Sequence, residues 1–171
     1  GAVANGFMDA EGIDVVVLYP KNKVSDLQER QFTTLGKNIK AISVDGTFDD
    51  CQKFVKDAFT DIQINNYLNL TSANSINIAR WLPQMFYYFI CYKKLSKLNK
   101  KLIFSVPSGN FGNLCSGILA KKMGLPIHHF IASTNINDIV PKYIDTGIYA
   151  PKPSKETISN AMDVGNPSNF I

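Results

Sequence analysis

Phe104-Ser105-Val106-Pro107-Ser108-Gly109-Asn110-Phe111-Gly112-Asn113, running on into Leu114 to Lys122, is the stretch that organises the rest of the chain. An apolar strand passes into a loop holding two glycines and two asparagines, and a helical pattern begins at once. Strand, tight loop and helix form the unit of open α/β sheets, which bind ligands beyond the carboxyl ends of their strands. A helix N-terminus presents backbone N–H groups without intrahelical partners, and these attract anions. Gly109 and Gly112 let the backbone approach an anion closely, while Asn110 and Asn113 add amide donors. The loop has neither a Walker lysine nor a G-x-G-x-x-G pattern, so nucleoside triphosphates and dinucleotides are disfavoured. Residue chemistry alone leaves two alternatives open, an anion site or a tight turn that binds nothing.

Upstream of this stretch, strands and helices alternate. Ile13 to Tyr19 is a β-branched run ended by Pro20, the pattern of a parallel strand. A helix is predicted from Ser25 to Leu35, with Ser25 as N-cap, Gln28 completing a capping box and Gly36 as the stop. Ile39 to Val44 is the second strand. Thr47 or Asp49 starts a helix reaching Phe59, with Cys51, Phe54, Val55 and Ala58 on one face. A long helix is expected from near Ser75 to Leu95, and Lys101 to Val106 is the third strand. Gly112 to Met123 reads as a helix with Gly124 as its stop, and Ile127 to Ala132 as the fourth strand. This order predicts the α/β class, with a parallel sheet and helices on both faces. Two lobes are expected, residues 1–98 and residues 99–171, the second carrying the glycine loop. The Pro151/Pro153 segment beyond Tyr149 reads as an ordered loop packed against something outside the chain. His128 and His129, adjacent on a strand, should face opposite ways in a structural role.

Composition supports a packed protein. Of 171 residues, 45% are hydrophobic and 19% charged, enough apolar surface to offset chain entropy. Eighteen basic residues against 14 acidic ones leave a net charge of +4, too dispersed for a nucleic-acid stripe. Cys51, Cys91 and Cys115 have neither metal-ligand nor disulfide spacing, which fits reduced thiols in a cytoplasmic protein. No run approaches the roughly 20 apolar residues of a membrane span. The opening Gly1 to Phe7 lacks a methionine and the charged region of a signal peptide, and reads as a start inside a longer polypeptide.

A second constellation is Thr71-Ser72-Ala73-Asn74-Ser75-Ile76-Asn77-Ile78-Ala79-Arg80-Trp81-Leu82-Pro83-Gln84. Asn74 and Ser75 are expected at the start of the long helix, where the dipole again favours an anion. Arg80, five residues further on, can present a bidentate fork. The alternative is a capped helix with a solvated arginine.

Four segments together resemble threonine synthase: Asn74 to Gln84, Val106 to Asn113, Ala132-Ser133-Thr134-Asn135-Ile136-Asn137-Asp138-Ile139-Val140-Pro141, and Ser159-Asn160-Ala161-Met162-Asp163-Val164. The resemblance runs from Gly1 to the end. It implies part of a fold type II pyridoxal-phosphate architecture, similar to the tryptophan synthase β chain. It also implies conversion of O-phospho-L-homoserine and water to L-threonine and phosphate, with pyridoxal 5'-phosphate as cofactor. Ser108, Gly109, Asn110, Phe111, Gly112 and Asn113 would hold the cofactor phosphate, and Asn74, Ser75 and Arg80 the substrate phosphate. The Schiff-base lysine of the family, in a phenylalanine-lysine-aspartate setting, is expected upstream of Gly1. No such tripeptide occurs here, so no catalytic residue and no metal site are assigned in the chain, and the fragment alone is expected to be inactive. Its partners would be a phosphorylated amino acid and the remainder of the same polypeptide, without nucleic acid or membrane. The Asn135, Asn137 and Asp138 cluster has no derivable role beyond a helix cap from Asn137. Two rival functions stay open, another fold type II pyridoxal-phosphate lyase or phospholyase, and a non-catalytic doubly wound anion-binding module.

Overall fold

A strand handed on to a helix is the unit repeated through the structure, a computed structural model that describes residues 2–74 and 77–170. Two compact units result, Gly1–Thr71 and Ser72–Ile171.

In the first unit a short helix α1 (Ala2–Gly6) precedes strand β1 (Val15–Pro20), helix α2 (Asp26–Thr33), strand β2 (Ile39–Val44), helix α3 (Phe48–Thr60) and a six-residue helix α4 (Ile62–Tyr67). β1 and β2 pair in parallel, Val15 opposite Ile39 through Pro20 opposite Val44. The predicted capping box is present, Ser25 accepting from the Gln28 amide and Gln28 reaching back to the Ser25 N–H. Thr47, rather than Asp49, caps α3 through a second box with Asp50, which the sequence reading did not specify. Ala4, Tyr19, Phe32 and Ile39 are buried together on one face of the strand pair. On the alternate positions Val16 and Ile42 remain 56% and 48% exposed. Removing the cap hydroxyl by Ser25→Ala should cost about 1 kcal/mol in urea unfolding, with α2 fraying first.

In the second unit a 3-10 turn (Ile78–Arg80) leads into helix α5 (Trp81–Leu95), followed by strand β3 (Leu102–Pro107), helix α6 (Gly112–Lys122), strand β4 (Ile127–Ser133) and helix α7 (Ile139–Thr146). β3 and β4 are again parallel. Met85 and Tyr88 of α5 are buried with Val106, Ala120, Leu125 and Ile127, so α5 packs in the second unit. The division between units falls before this helix, where the sequence reading placed it after, near Asn99. The start of α5 also differs from expectation. Pro83 lacks an N–H and its ring would collide with the carbonyl four residues back, so it is tolerated only in a first turn. The α-helix therefore begins at Trp81, and Asn74 lies ahead of the 3-10 turn instead of at the helix start.

A register shift between Leu102 and Ile103 leaves His128 as a bulge, opposite no residue of β3. Alternation is lost there, and the two imidazoles lie with ring centroids 5.5 Å apart instead of facing opposite ways. The segment beyond Tyr149 finds its partners within the chain. The Lys152 amide donates to Gly165 O, and Tyr149 stacks on Phe170. Among the described residues no helix is long and apolar enough to cross a membrane.

Candidate anion-binding site

The loop between β3 and α6 is pinned at its first residue. Ser108 is buried; its amide extends the strand ladder to Ser133 O at 2.8 Å and its hydroxyl donates to Val106 O at 2.9 Å. Gly109 follows because nothing larger fits. A Cβ there would stand 2.6 Å from Met162 Cα and 2.8 Å from Met162 O, both backbone atoms. Asn110 binds across the chain to Ser168, taking the Ser168 amide at 2.6 Å and donating to its hydroxyl at 3.0 Å.

Phe111 carries the left-handed conformation of the turn, at φ 62°, ψ 5°. Gly112, the next residue, is the first of α6 and is not left-handed. A bulky residue at positive φ is a strained choice, sustained here by burial of the ring against Phe170 at 5.9 Å. The chain thereby turns into α6 with no side chain capping it. The amides of Gly112, Asn113 and Leu114 have no hydrogen-bond partner among the described residues. Cys115 is the first to close a turn, onto Phe111 O.

Asn113 faces α5. Its Oδ1 accepts from the Tyr88 hydroxyl at 2.7 Å, and its Nδ2 donates to Gln84 Oε1 at 3.1 Å. Gln84 in turn donates to the carbonyl of Arg80 at 2.8 Å. The N-termini of α5 and α6 are thus joined by a chain of two hydrogen bonds, with Tyr88 as a further tie, and two segments quoted separately from the sequence meet. Arg80 Nε is buried without a hydrogen-bond partner. So is Asn169 Nδ2, on the segment that crosses the loop at Ser168 and Phe170. An amide-rich turn with two orphaned donors in the same unit is suited to an anion. Burial pushes the Cys115 thiol up, and burial, with nearby Cys91 second, pushes the Tyr88 phenol up to about 12. Both stay protonated at neutral pH.

Of the nine residues singled out from the sequence, Ser108 to Asn113 form this turn and Arg80 stands at the entry to α5. Asn74 accepts from the Asn77 amide at 3.0 Å in the turn before it. Ser75 lies outside the described residues. The side-chain amides of Asn110 and Asn113 are spent on the protein, so free donors at the turn are backbone ones.

Asn137 does not cap α7, whose N-cap is Asp138 without a side-chain bond. Its side chain donates instead to Asn135 Oδ1, Lys155 O and Asp163 Oδ1. Gln84, Tyr88, Asp163 and Ser168 carry the site's geometry without having been assigned roles. Gln84 and Tyr88 were within reach of the sequence, since Arg80, Gln84 and Tyr88 recur every fourth residue on one helix face. Ser168 has no comparable signal.

No protein-family model matches the chain. It is 52% identical over 170 residues to threonine synthase of Buchnera aphidicola subsp. Acyrthosiphon pisum, which covers 99% of this chain and 40% of that protein. The crystal structure of threonine synthase from Escherichia coli superposes with a TM-score of 0.94 at 50% identity, over 99% of this chain and 40% of that one. The Brucella melitensis threonine synthase crystallised with pyridoxal phosphate gives 0.84 at 40% identity, over 99% and 37%. The chain therefore has the fold of the corresponding part of a fold type II enzyme. It spans about two fifths of the length of the curated relatives it matches.

Proposed function

We propose that this chain, related to the threonine synthases from end to end, is the phosphate-gripping segment of a pyridoxal-phosphate-dependent lyase that makes L-threonine and phosphate from O-phospho-L-homoserine and water. One observation carries the proposal: unpaired amides open α6, and a chain of hydrogen bonds ties them to the helix whose entry holds the partnerless Arg80 Nε. Cofactor and substrate are both phosphate esters, so the enzyme needs two anion grips close together.

The turn fits a phosphate monoester. It offers backbone donors at a positive helix end, and no acidic side chain lies between Ser108 and Asn113 to repel a dianion. Ser108 to Asn113 would hold the cofactor phosphate. When bound, the cofactor supplies the electron sink. Arg80, with Asn74 and Ser75, would hold the substrate phosphate, its guanidinium offsetting charge as phosphate departs. No lysine here stands in the family setting, so attachment of the cofactor is assigned to the part of the relatives that this chain does not span. A cytoplasmic setting fits the three free cysteines.

The test is phosphate release from O-phosphohomoserine, with cofactor absorbance, by the intact protein that carries this segment. No bound cofactor would leave the anion-binding module; turnover of a different phosphoamino acid alone would make it another phospholyase. Within the same assay, Arg80→Ala should raise KM for the phosphorylated substrate or lower turnover by about 10- to 150-fold, the worth of one charged hydrogen bond. Cofactor content should stay near normal. Unchanged kinetics would reduce Arg80 to a helix-entry residue.

A further inference from the structure

A dense polar cluster of the second unit lies outside the turn. Asp163 Oδ1 accepts from Asn135 Nδ2 at 2.8 Å, Thr157 Oγ1 at 2.7 Å and Asn137 Nδ2 at 3.2 Å. Asp163 Oδ2 accepts from the Thr157 amide at 2.8 Å. One carboxylate therefore fastens three stretches: the exit of β4, the segment near Thr157, and the 3-10 turn Asn160–Met162 that immediately precedes it. That turn is closed by Met162 N–H to Ser159 O at 2.8 Å and Asp163 N–H to Asn160 O at 3.1 Å.

The Met162 backbone is the wall against which Gly109 packs, with no space for even a methyl group. The other anchor of the loop, Ser108, bonds to Ser133, two residues before Asn135. Both contacts that place the start of the loop thus lead back to segments fastened by Asp163. A carboxylate filled by four donors is a stiff hub, because each bond to the charged group is worth more than a neutral one.

We infer that Asp163 is a positioning residue for the phosphate loop, acting through the Met162 turn on Gly109. This rests on the assignment of the loop to the cofactor phosphate. It predicts that loosening the hub weakens the grip on phosphate selectively, since amides held out of place lose a phosphate but leave contacts to the ring alone.

The experiment titrates the intact protein with pyridoxal 5'-phosphate and with pyridoxal, which has the same ring without the phosphate, and follows ring absorbance. Asp163→Asn keeps the shape but turns an NH2 toward donors, and should weaken pyridoxal 5'-phosphate about tenfold or more, the effect of one lost bond to a charged group. Pyridoxal affinity should change little, so the ratio of the pyridoxal 5'-phosphate Kd to the pyridoxal Kd rises. Thr157→Val, which removes one hydroxyl donor, should move the ratio the same way by less. Melting temperature and far-ultraviolet circular dichroism are recorded beside it. A ratio unchanged in both variants overturns the inference, whatever happens to the melting temperature, and leaves the loop assignment standing. A wild type that binds both probes equally overturns the loop assignment and the inference with it. If Asp163→Asn does not fold, the Thr157→Val ratio decides.

Discussion

Gly109→Val in the intact protein should release the cofactor while most of the secondary structure persists. The added Cβ would meet Met162 Cα at 2.6 Å, Met162 O at 2.8 Å and Met162 C at 2.9 Å. None of these atoms can rotate aside as the end of a side chain could. Relief requires the Ser108–Asn113 loop or the Met162 turn to move by several tenths of an ångström, and valine adds two further methyl groups. Hydrogen bonds from amide to phosphate weaken steeply outside about 2.7–3.2 Å, so a shift of that size costs several of them together. The expected result is cofactor occupancy below about a tenth of wild type after gel filtration, at matched protein concentration. The far-ultraviolet spectrum should remain close to wild type. Full occupancy in the variant would show that the loop is a plain turn. Gly112 begins α6 without a left-handed backbone, so a substitution there would not add positive-φ strain.

The elements of this fold were legible where local chemistry determines them. Ser25 with Gln28, and the β-branched run Ile39–Val44, lie at their predicted places because caps and parallel strands depend on neighbours in sequence. The entry to α5 was misplaced because its polar residues resemble a cap, whereas Pro83 sets how early a helix can begin. The strand–loop–helix at Phe104–Lys122 was legible as a succession of elements, but not how the polar side chains of its loop are used. Asn110 and Asn113 read as ligand donors, yet one fastens Ser168 and the other faces Gln84 and Tyr88. Their partners lie 58 and up to 29 residues away, beyond what spacing reveals. The same holds for Asn135 and Asn137, whose partner Asp163 is 28 and 26 residues on. Phe111 escapes sequence reading for another reason: glycine is the usual host of positive φ, and two glycines stand beside it.

Tyr88 joins the core of the second unit to the site, and its substitution should separate the two contributions. It is 3% exposed, with its ring edge-on to Phe104 at 4.9 Å and to Phe130 at 5.9 Å. Tyr88→Ala removes that ring from between α5, α6 and the strands, a loss of about 3–5 kcal/mol if the cavity stays open. Tyr88→Phe keeps the packing but leaves Asn113 Oδ1 without its 2.7 Å donor, at about 1–3 kcal/mol. Urea unfolding of both variants measures the difference. A phenylalanine variant as stable as wild type would mean that water replaces the hydroxyl at no cost.

The phenol also gives stability a pH dependence of known sign. Its folded pKa stands at about 12, above the ordinary 10.0, so between those values the unfolded chain loses the proton and the folded one keeps it. The contribution is therefore complete below pH 10 and declines as pH rises toward 12. Wild type should lose stability more steeply than Tyr88→Phe across that window, and parallel curves would place the hydroxyl in contact with solvent. Because Asn113 also donates to Gln84, and Gln84 donates to the Arg80 carbonyl, the phenylalanine variant should loosen the join between the two helix entries. In turnover assays at neutral pH this should appear as a higher KM for the phosphorylated substrate before any loss of cofactor, since the Ser108 and Gly109 anchors of the loop do not involve Tyr88.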